Sequence, residues 1–186
     1  MARAYNGDKW ISHLWCRITK WHIVYTHRKK SKALPLLKKA LAYIRTILKG
    51  NIQFLRLDGE HTLGDKFNTW ISDKGIKEER VAYPDTPEQN FAEPGGKLLT
   101  TLSRLLRIQS QLPSYLWPEF YYASEYLLNR MPTKSLGYKT PFEAVFYKLP
   151  RMAHLEIYGY KAFTLIKHIP KLQQLDPRAY IGYLIR

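Results

Sequence analysis

Two windows near the start of the chain, 10–18 and 21–27, are rich in aromatic and β-branched residues, with a polar break at Thr19-Lys20. They predict a β-hairpin. Over 31–49 the period changes. Leu34, Leu37, Leu41, Ile44 and Leu48 recur at three and four and mark one face of a helix. Pro35 falls in the first turn of that helix, where a missing N–H costs little, and Gly50 is the expected stop. A short apolar strand over 52–57 leads to Asp58. A helix over 66–74 is stopped by Gly75, and a strand over 76–82 follows. Two prolines signal a loop over 83–90. Helical patterns then run from about 92–109 and about 114–130. Strands alternating with helices in this order predict an α/β domain.

Arg130-Met-Pro-Thr-Lys-Ser-Leu-Gly closes that unit. Thr140-Pro-Phe-Glu143 reads as a capping box with proline at the first helical position, so a short helix is expected there. From 155 onward the pattern turns back to strands, over 155–158, 162–166 and 179–185, like the first strands of a small barrel. Trp10, Trp15, Trp21, Trp70 and Trp117 occupy periodic positions and are expected in the core. Tyr121, Tyr122 and Tyr126 share one helix; they either pack or stack on nucleic-acid bases. Cys16 is expected as a buried strand residue.

Composition narrows the class. The 186 residues are 45% hydrophobic and 14% aromatic, which supports a real core and excludes a disordered chain. No run approaches the ~20 apolar residues of a membrane span, and the first residues lack the apolar core of a secretory signal. One cysteine excludes a disulfide framework and any multi-cysteine zinc site. An intracellular protein is the expectation. The formal net charge is +15, unevenly spread. Residues 9–57 hold twelve Lys/Arg and no acid, whereas 58–93 hold nine acids against four Lys/Arg. A basic surface attracts polyanions, nucleic acid above all. The alternative is that these cations are simply solvated helix faces.

Within the acidic stretch, Asp58 and Glu93 are separated by 34 residues. Asp58 ends a strand, the place where ligands gather in open α/β sheets. Glu93 starts the next long helix. Two carboxylates converging there repel unless a cation lies between them, and Mg²⁺ accepts such oxygens while keeping room for phosphate. As ordinary caps and surface charges, the same residues need no metal.

An ordered series of short motifs adds to this. It runs Arg56-Leu-Asp58-Gly-Glu60, Thr86-Pro-Glu-Gln-Asn90, Ala92-Glu93, Leu112-Pro, Leu116-Trp117-Pro-Glu119, Tyr126-Leu-Leu-Asn-Arg130-Met-Pro-Thr133, Lys139-Thr-Pro-Phe-Glu-Ala144, His154-Leu155, Tyr158-Gly159 and Lys161-Ala162. The series resembles the integrase of copia-type LTR retrotransposons, in a form like that of fungal elements. The last part, Ile169-Pro-Lys-Leu-Gln-Gln-Leu-Asp-Pro-Arg-Ala-Tyr-Ile-Gly-Tyr183, resembles the SH3-like barrel that follows the catalytic core in that polyprotein. The resemblance covers nearly the whole chain.

The resemblance implies an α/β, RNase H-like integrase core over 1–133, a linker with a short helix over 134–154, and the start of a small SH3-like β-barrel over 155–186. It implies DNA integration by polynucleotidyl transfer, with Mg²⁺ (or Mn²⁺) as cofactor. Its partners would be DNA, both element ends and target, with a homo-oligomer also open to it and no membrane. The location would be nuclear if the protein is functional. Three acids bind metal in that family. Asp58 matches the second and Glu93 the third, as catalytic and metal-binding residues. Gln89 and Asn90 match the loop expected near DNA, and Lys97, Arg104 and Arg107 are the expected phosphate contacts.

Three departures accompany the match. The family's first aspartate lies on a strand before the hairpin, and only nine residues precede Trp10 here. Asp8 falls in the turn leading into the hairpin and is no substitute. Ala92-Glu93-Pro94 stands where the family commonly has Ala-Glu-Arg. The histidines and the single cysteine are scattered and make no zinc module. The expectation is therefore an integrase fragment that is catalytically incomplete, or else a non-catalytic, basic nucleic-acid-binding remnant.

Overall fold

The structure is a computed structural model that describes residues 3–57, 64–80, 92–167 and 177–185, for residues 57, 80, 92 and 93 the backbone alone. Trp10–Trp15 (β1) and His22–His27 (β2) form the expected antiparallel hairpin, Trp10 opposite His27 and Trp15 opposite His22. The turn is longer than the sequence pattern suggests. The Cys16 N–H donates to the Trp21 carbonyl and the Lys20 N–H to the Cys16 carbonyl, with Lys20 left-handed at φ 58°. Cys16 is therefore an exposed turn residue, not a buried strand one.

Helix α1 (Ala33–Thr46) follows a single 3₁₀ turn, Lys30–Lys32, and buries Leu37, Ala40 and Leu41. Pro35 lies in its first turn, as expected. Left-handed Lys49 and a return bond from the Gly50 N–H to the Ile44 carbonyl, 3.0 Å, stop it. Strand β3 (Phe54–Leu57), helix α2 (Gly64–Asp73) and strand β4 (Lys77–Arg80) make a parallel β-α-β unit, with Phe54 opposite Lys77. Helix α3 (Ala92–Ser110) then packs on α4 (Trp117–Leu128). The expected 114–130 helix begins as a 3₁₀ turn, Ser114–Leu116, because Pro113 precedes it and Pro118 lies in the first turn of α4. Helix α5 (Pro141–Phe146) carries the expected capping box. The Thr140 side chain accepts from the Glu143 N–H, and the Glu143 carboxylate accepts from the Thr140 N–H. The Thr140 N–H and the Thr140 hydroxyl, both donating to it, hold the Glu143 carboxylate below its ordinary range.

Strands β5 (Lys161–Leu165) and β6 (Ala179–Tyr183) pair antiparallel with every residue of β5 exposed, and no closed barrel forms among the described residues. Residues 155–158 form no strand and instead link two turns: the Leu155 N–H bonds the Met152 carbonyl and the Tyr160 N–H the Ile157 carbonyl. The chain there presses on the end of α3. A Cβ on Gly159, at φ 85°, would lie 2.5 Å from that of Ser110.

The described strands form three separate two-stranded sheets. The hairpin lies between helices. Val24 joins Leu99, Leu106, Trp117, Phe120 and Leu128 in one cluster with α3 and α4. Trp21 and Ile23 join Ala40 of α1, with Phe142, Val145 and Phe146 packed alongside. The third cluster links α1 and α2 through Leu37, Leu41, Phe67, Ile71 and Ile76, and Leu14 of β1 and Leu55 of β3 both pack on it. Close packing of α3 on α4 uses small residues, with Ser103 Oγ donating to Ser124 Oγ at 3.0 Å. Asn129, at the end of α4, reads β2 as a neighbouring strand would. Its Oδ1 accepts from the His22 N–H at 2.8 Å and its Nδ2 donates to the His22 carbonyl at 2.9 Å. Of the tryptophans, Trp21 and Trp117 are core, Trp15 and Trp70 are half-buried, and Trp10 is exposed with the Lys30 ammonium 4.6 Å above its ring. Among the described residues no helix is long and apolar enough to cross a membrane.

Candidate functional site

The β-α-β unit sets the geometry. β3 and β4 run side by side with Arg56 and Glu79 opposite each other and ion-paired at 2.8 Å. From the carboxyl end of β3 the chain passes to Asp58, which lies outside the described residues, as do Gln89 and Asn90. The backbone of Glu93 is in the first turn of α3. Pro94 is tolerated there because the first four N–H groups of a helix have no intrahelical partner. Lys97 is one turn further on, on the same side as Glu93. Arg104 is seven residues beyond Lys97, two turns along the same face, and Arg107 flanks it. All three cations are exposed, and Pro94–Ser110 contains no acid. The described part of this region is thus a basic helix face leading away from Glu93.

The start of α3 is fixed by a contact that sequence reasoning missed. Gly95 is buried against the Trp15 indole of β1, so close that a Cβ would lie 2.7 Å from the ring. Only glycine lets the helix approach the hairpin there. The Gly-Gly pair at 95–96 inside a helical pattern was the available signal.

Asp8 anchors the N-terminal turn. Its carboxylate accepts from Thr26 Oγ1 at 2.5 Å and Asn6 Nδ2 at 2.9 Å, which pins the N-terminal turn to β2. Among the described residues no group of three His, Cys, Asp or Glu could hold a metal. The tyrosines of α4 are packing residues. Tyr121 is buried against Trp117, Tyr122 bonds Thr26, and Tyr126 lies under the Arg130 guanidinium at 3.5 Å and touches His154.

A second feature invisible in the linear order is a histidine pair. His13 Nε2 and His22 Nδ1 are 3.0 Å apart across the hairpin, the rings stacked. Burial lowers His13 to about 4, and burial together with His13 lowers His22 to about 3. Both are neutral at ordinary pH.

No family model matches the chain. Among characterised proteins it is similar to the retrovirus-related Pol polyprotein from transposon TNT 1-94 of Nicotiana tabacum, 30% identical over 169 residues that take in 86% of this chain. The retrovirus-related Pol polyproteins from transposons RE2 and RE1 of Arabidopsis thaliana are each 27% identical over 61% of this chain. The chain spans only 12% of the tobacco polyprotein and 8% of each Arabidopsis one. Among solved structures it is similar to the HTLV-2 integrase catalytic core domain in complex with magnesium, with a TM-score of 0.52 and 12% identity, covering 74% of this chain and 93% of that one. The catalytic core domain of BIV integrase superposes with a TM-score of 0.52 at 15% identity, over 77% of this chain and 89% of that one. The simian T-cell lymphotropic virus intasome gives 0.55 at 16%, over 95% of this chain and 66% of that one.

Proposed function

Since the chain is a homologue of a segment of copia-type retrotransposon Pol polyproteins and has the fold of a retroviral integrase catalytic core, we propose that its residues serve DNA integration. In this reading Asp58 and Glu93 are two of the carboxylates that hold Mg²⁺ or Mn²⁺. Two observations support it: Asp58 directly follows the last residue of β3 in the sequence, and the backbone of Glu93 lies in the first turn of α3. Two hard carboxylate donors suit either ion, and the carboxyl end of a strand is where α/β sheets collect ligands. When bound, such an ion activates a nucleophile and stabilises a leaving oxygen in phosphodiester chemistry. The chain's own contribution is to bind and align DNA. Lys97, Arg104 and Arg107 neutralise phosphates along α3, and Gln89 and Asn90 bear on the DNA beside Glu93.

The division into a core over 1–133, a linker over 134–154 and the beginning of an SH3-like barrel over 155–186 belongs to the same reading, as do assembly into oligomers and action in the nucleus. Of the family's three metal-binding acids, Asp58 and Glu93 match the second and third. One observation favours a second reading, a non-catalytic nucleic-acid-binding remnant. Among the described residues the hairpin and the β3–β4 pair are separate sheets, and the family's central, Asp-bearing strand would lie between them.

A Mn²⁺ titration followed by electron paramagnetic resonance tests the metal assignment. The wild-type chain should deplete free Mn²⁺, and Asp58→Asn and Glu93→Gln should each abolish the depletion. Depletion surviving in both variants would remove these residues from the metal site.

A further inference from the structure

Helices α1 and α2 diverge over a groove that no catalytic reading uses. Its volume is about 400 Å³, and it is lined by Lys38, Leu41, Arg45, Trp70, Lys74 and Ile76, among others. The residues reach it for plain reasons. Positions 38, 41 and 45 recur at three and four, so they share one face of α1. Trp70 and Lys74 are one turn apart at the end of α2. Gly75, at φ 64°, turns the chain so that Lys74 stays on the rim while Ile76 enters the core. The groove lies at the amino end of the parallel pair. Asp58 follows the opposite end.

The lining has two kinds of surface. The floor is apolar: Leu41 and Ile76 are buried, and the indole of Trp70 packs on the same cluster while remaining half-exposed. The rim is cationic. Lys38, Arg45 and Lys74 are exposed, and among the described residues no carboxylate lies within ion-pair distance of any of them. The Lys38 ammonium instead rests 5.1 Å from the centre of the Trp70 ring, a weak cation–π contact that a better ligand displaces.

Three cations on a rim ask for several negative charges. An accessible indole between them asks for a flat, weakly polar body. A nucleotide segment carries both, and a basic groove with an aromatic platform is how single strands are held without sequence preference. The volume is that of a small-ligand site, open enough for a polymer to enter and leave. We propose that this groove is a second nucleic-acid site, taking single-stranded DNA or RNA with one base on Trp70 and the flanking phosphates among Lys38, Arg45 and Lys74. The site uses none of the residues assigned to the catalytic end, so it stands or falls separately from that reading.

Fluorescence anisotropy of a fluorescein-labelled dT₁₂ oligonucleotide, titrated with the full chain at stepped KCl, tests it. Replacing all three cations by glutamine should make the plot of log K against log salt shallower by about 2. Trp70→Leu should weaken binding roughly tenfold without changing that slope. Trp70→Phe, which keeps an aromatic face, should retain most of the affinity. A 5-iodouracil oligonucleotide should crosslink to the peptide that contains Trp70. Because the three cations are exposed, their glutamine variant should fold as wild type, and circular dichroism checks it. Lys97→Gln with Arg104→Gln is the control for the catalytic end. Affinity and slope unchanged in the triple variant, with crosslinks only outside α2, would overturn the proposal. Displacement of dT₁₂ by poly-glutamate at matched charge would overturn it as well, pointing to an acidic protein partner.

Discussion

His13 and His22 share one hydrogen bond across the hairpin, 3.0 Å long, and burial favours the neutral form of each. In the unfolded chain both titrate near their ordinary value of 6.5. Above that pH neither state carries the protons, and the pair's contribution to stability is complete. Below it the unfolded chain takes up protons that the folded chain refuses until about 4 for His13 and about 3 for His22. Stability therefore falls as pH drops through that window, by up to about 1.4 kcal/mol per pH unit for each histidine. Urea unfolding between pH 7.5 and 4.5 measures it, and His13→Phe should flatten the acid limb. A midpoint independent of pH in the wild type would contradict the account. This pair was not legible in the sequence, where the histidines look scattered. Hairpin register creates it, and register depends on a turn that begins at Cys16 rather than at Thr19. The same turn explains Cys16. Its hydrophobic neighbours suggest a strand, but the bonds between Cys16 and both Lys20 and Trp21 place it in solvent.

At the scale of elements, α3 carries both the candidate glutamate and the candidate phosphate contacts, so its position decides how they meet DNA. Gly95 holds it against Trp15. In an exposed helix, Gly→Ala is stabilising by about 0.5–1 kcal/mol. Here the added methyl meets the indole, and overpacking costs about 1–3 kcal/mol. Gly95→Ala should thus be destabilising by on the order of 1 kcal/mol, and Trp15→Leu should relieve it in the double variant. A thermal melt of the four proteins checks this, and a stabilised Gly95→Ala would show that the helix does not bear on the hairpin. Periodicity made the helices and the hairpin visible because their apolar faces are continuous. It overran the end of α1, where left-handed Lys49 and the return bond of Gly50 stop the helix early, and the start of β3, which begins at Phe54; 81 and 82 lie outside the described residues. It failed at 155–158. Alternation there looks like a strand, yet Tyr158 packs on Phe120 and Gly159 on Ser110, so the segment turns across the helices instead.

For the whole molecule, the ordered motifs carried most of the functional information, and several of those in the described residues sit at junctions the fold needs. Asn129 clamps β2, Thr140 and Glu143 cap α5, and Tyr158 and Gly159 lie against the end of α3 and the start of α4. Such residues are legible as a family pattern before their physical roles are. The groove between α1 and α2 was not legible, since it joins residues 38–46 to 70–76 through tertiary packing alone. The charge of +15 was legible at once, and it sets the energetics of any encounter with DNA. The central claim is that α3 presents the DNA contacts of an integrase-type core. The most direct test is the salt dependence of binding to a labelled duplex, for the wild type and for the Lys97→Gln, Arg104→Gln, Arg107→Gln triple variant. Each phosphate that is no longer neutralised should take about 0.9 from the slope of log K against log salt, so the triple variant should be shallower by about 2–3. Equal slopes for the two proteins would contradict the account.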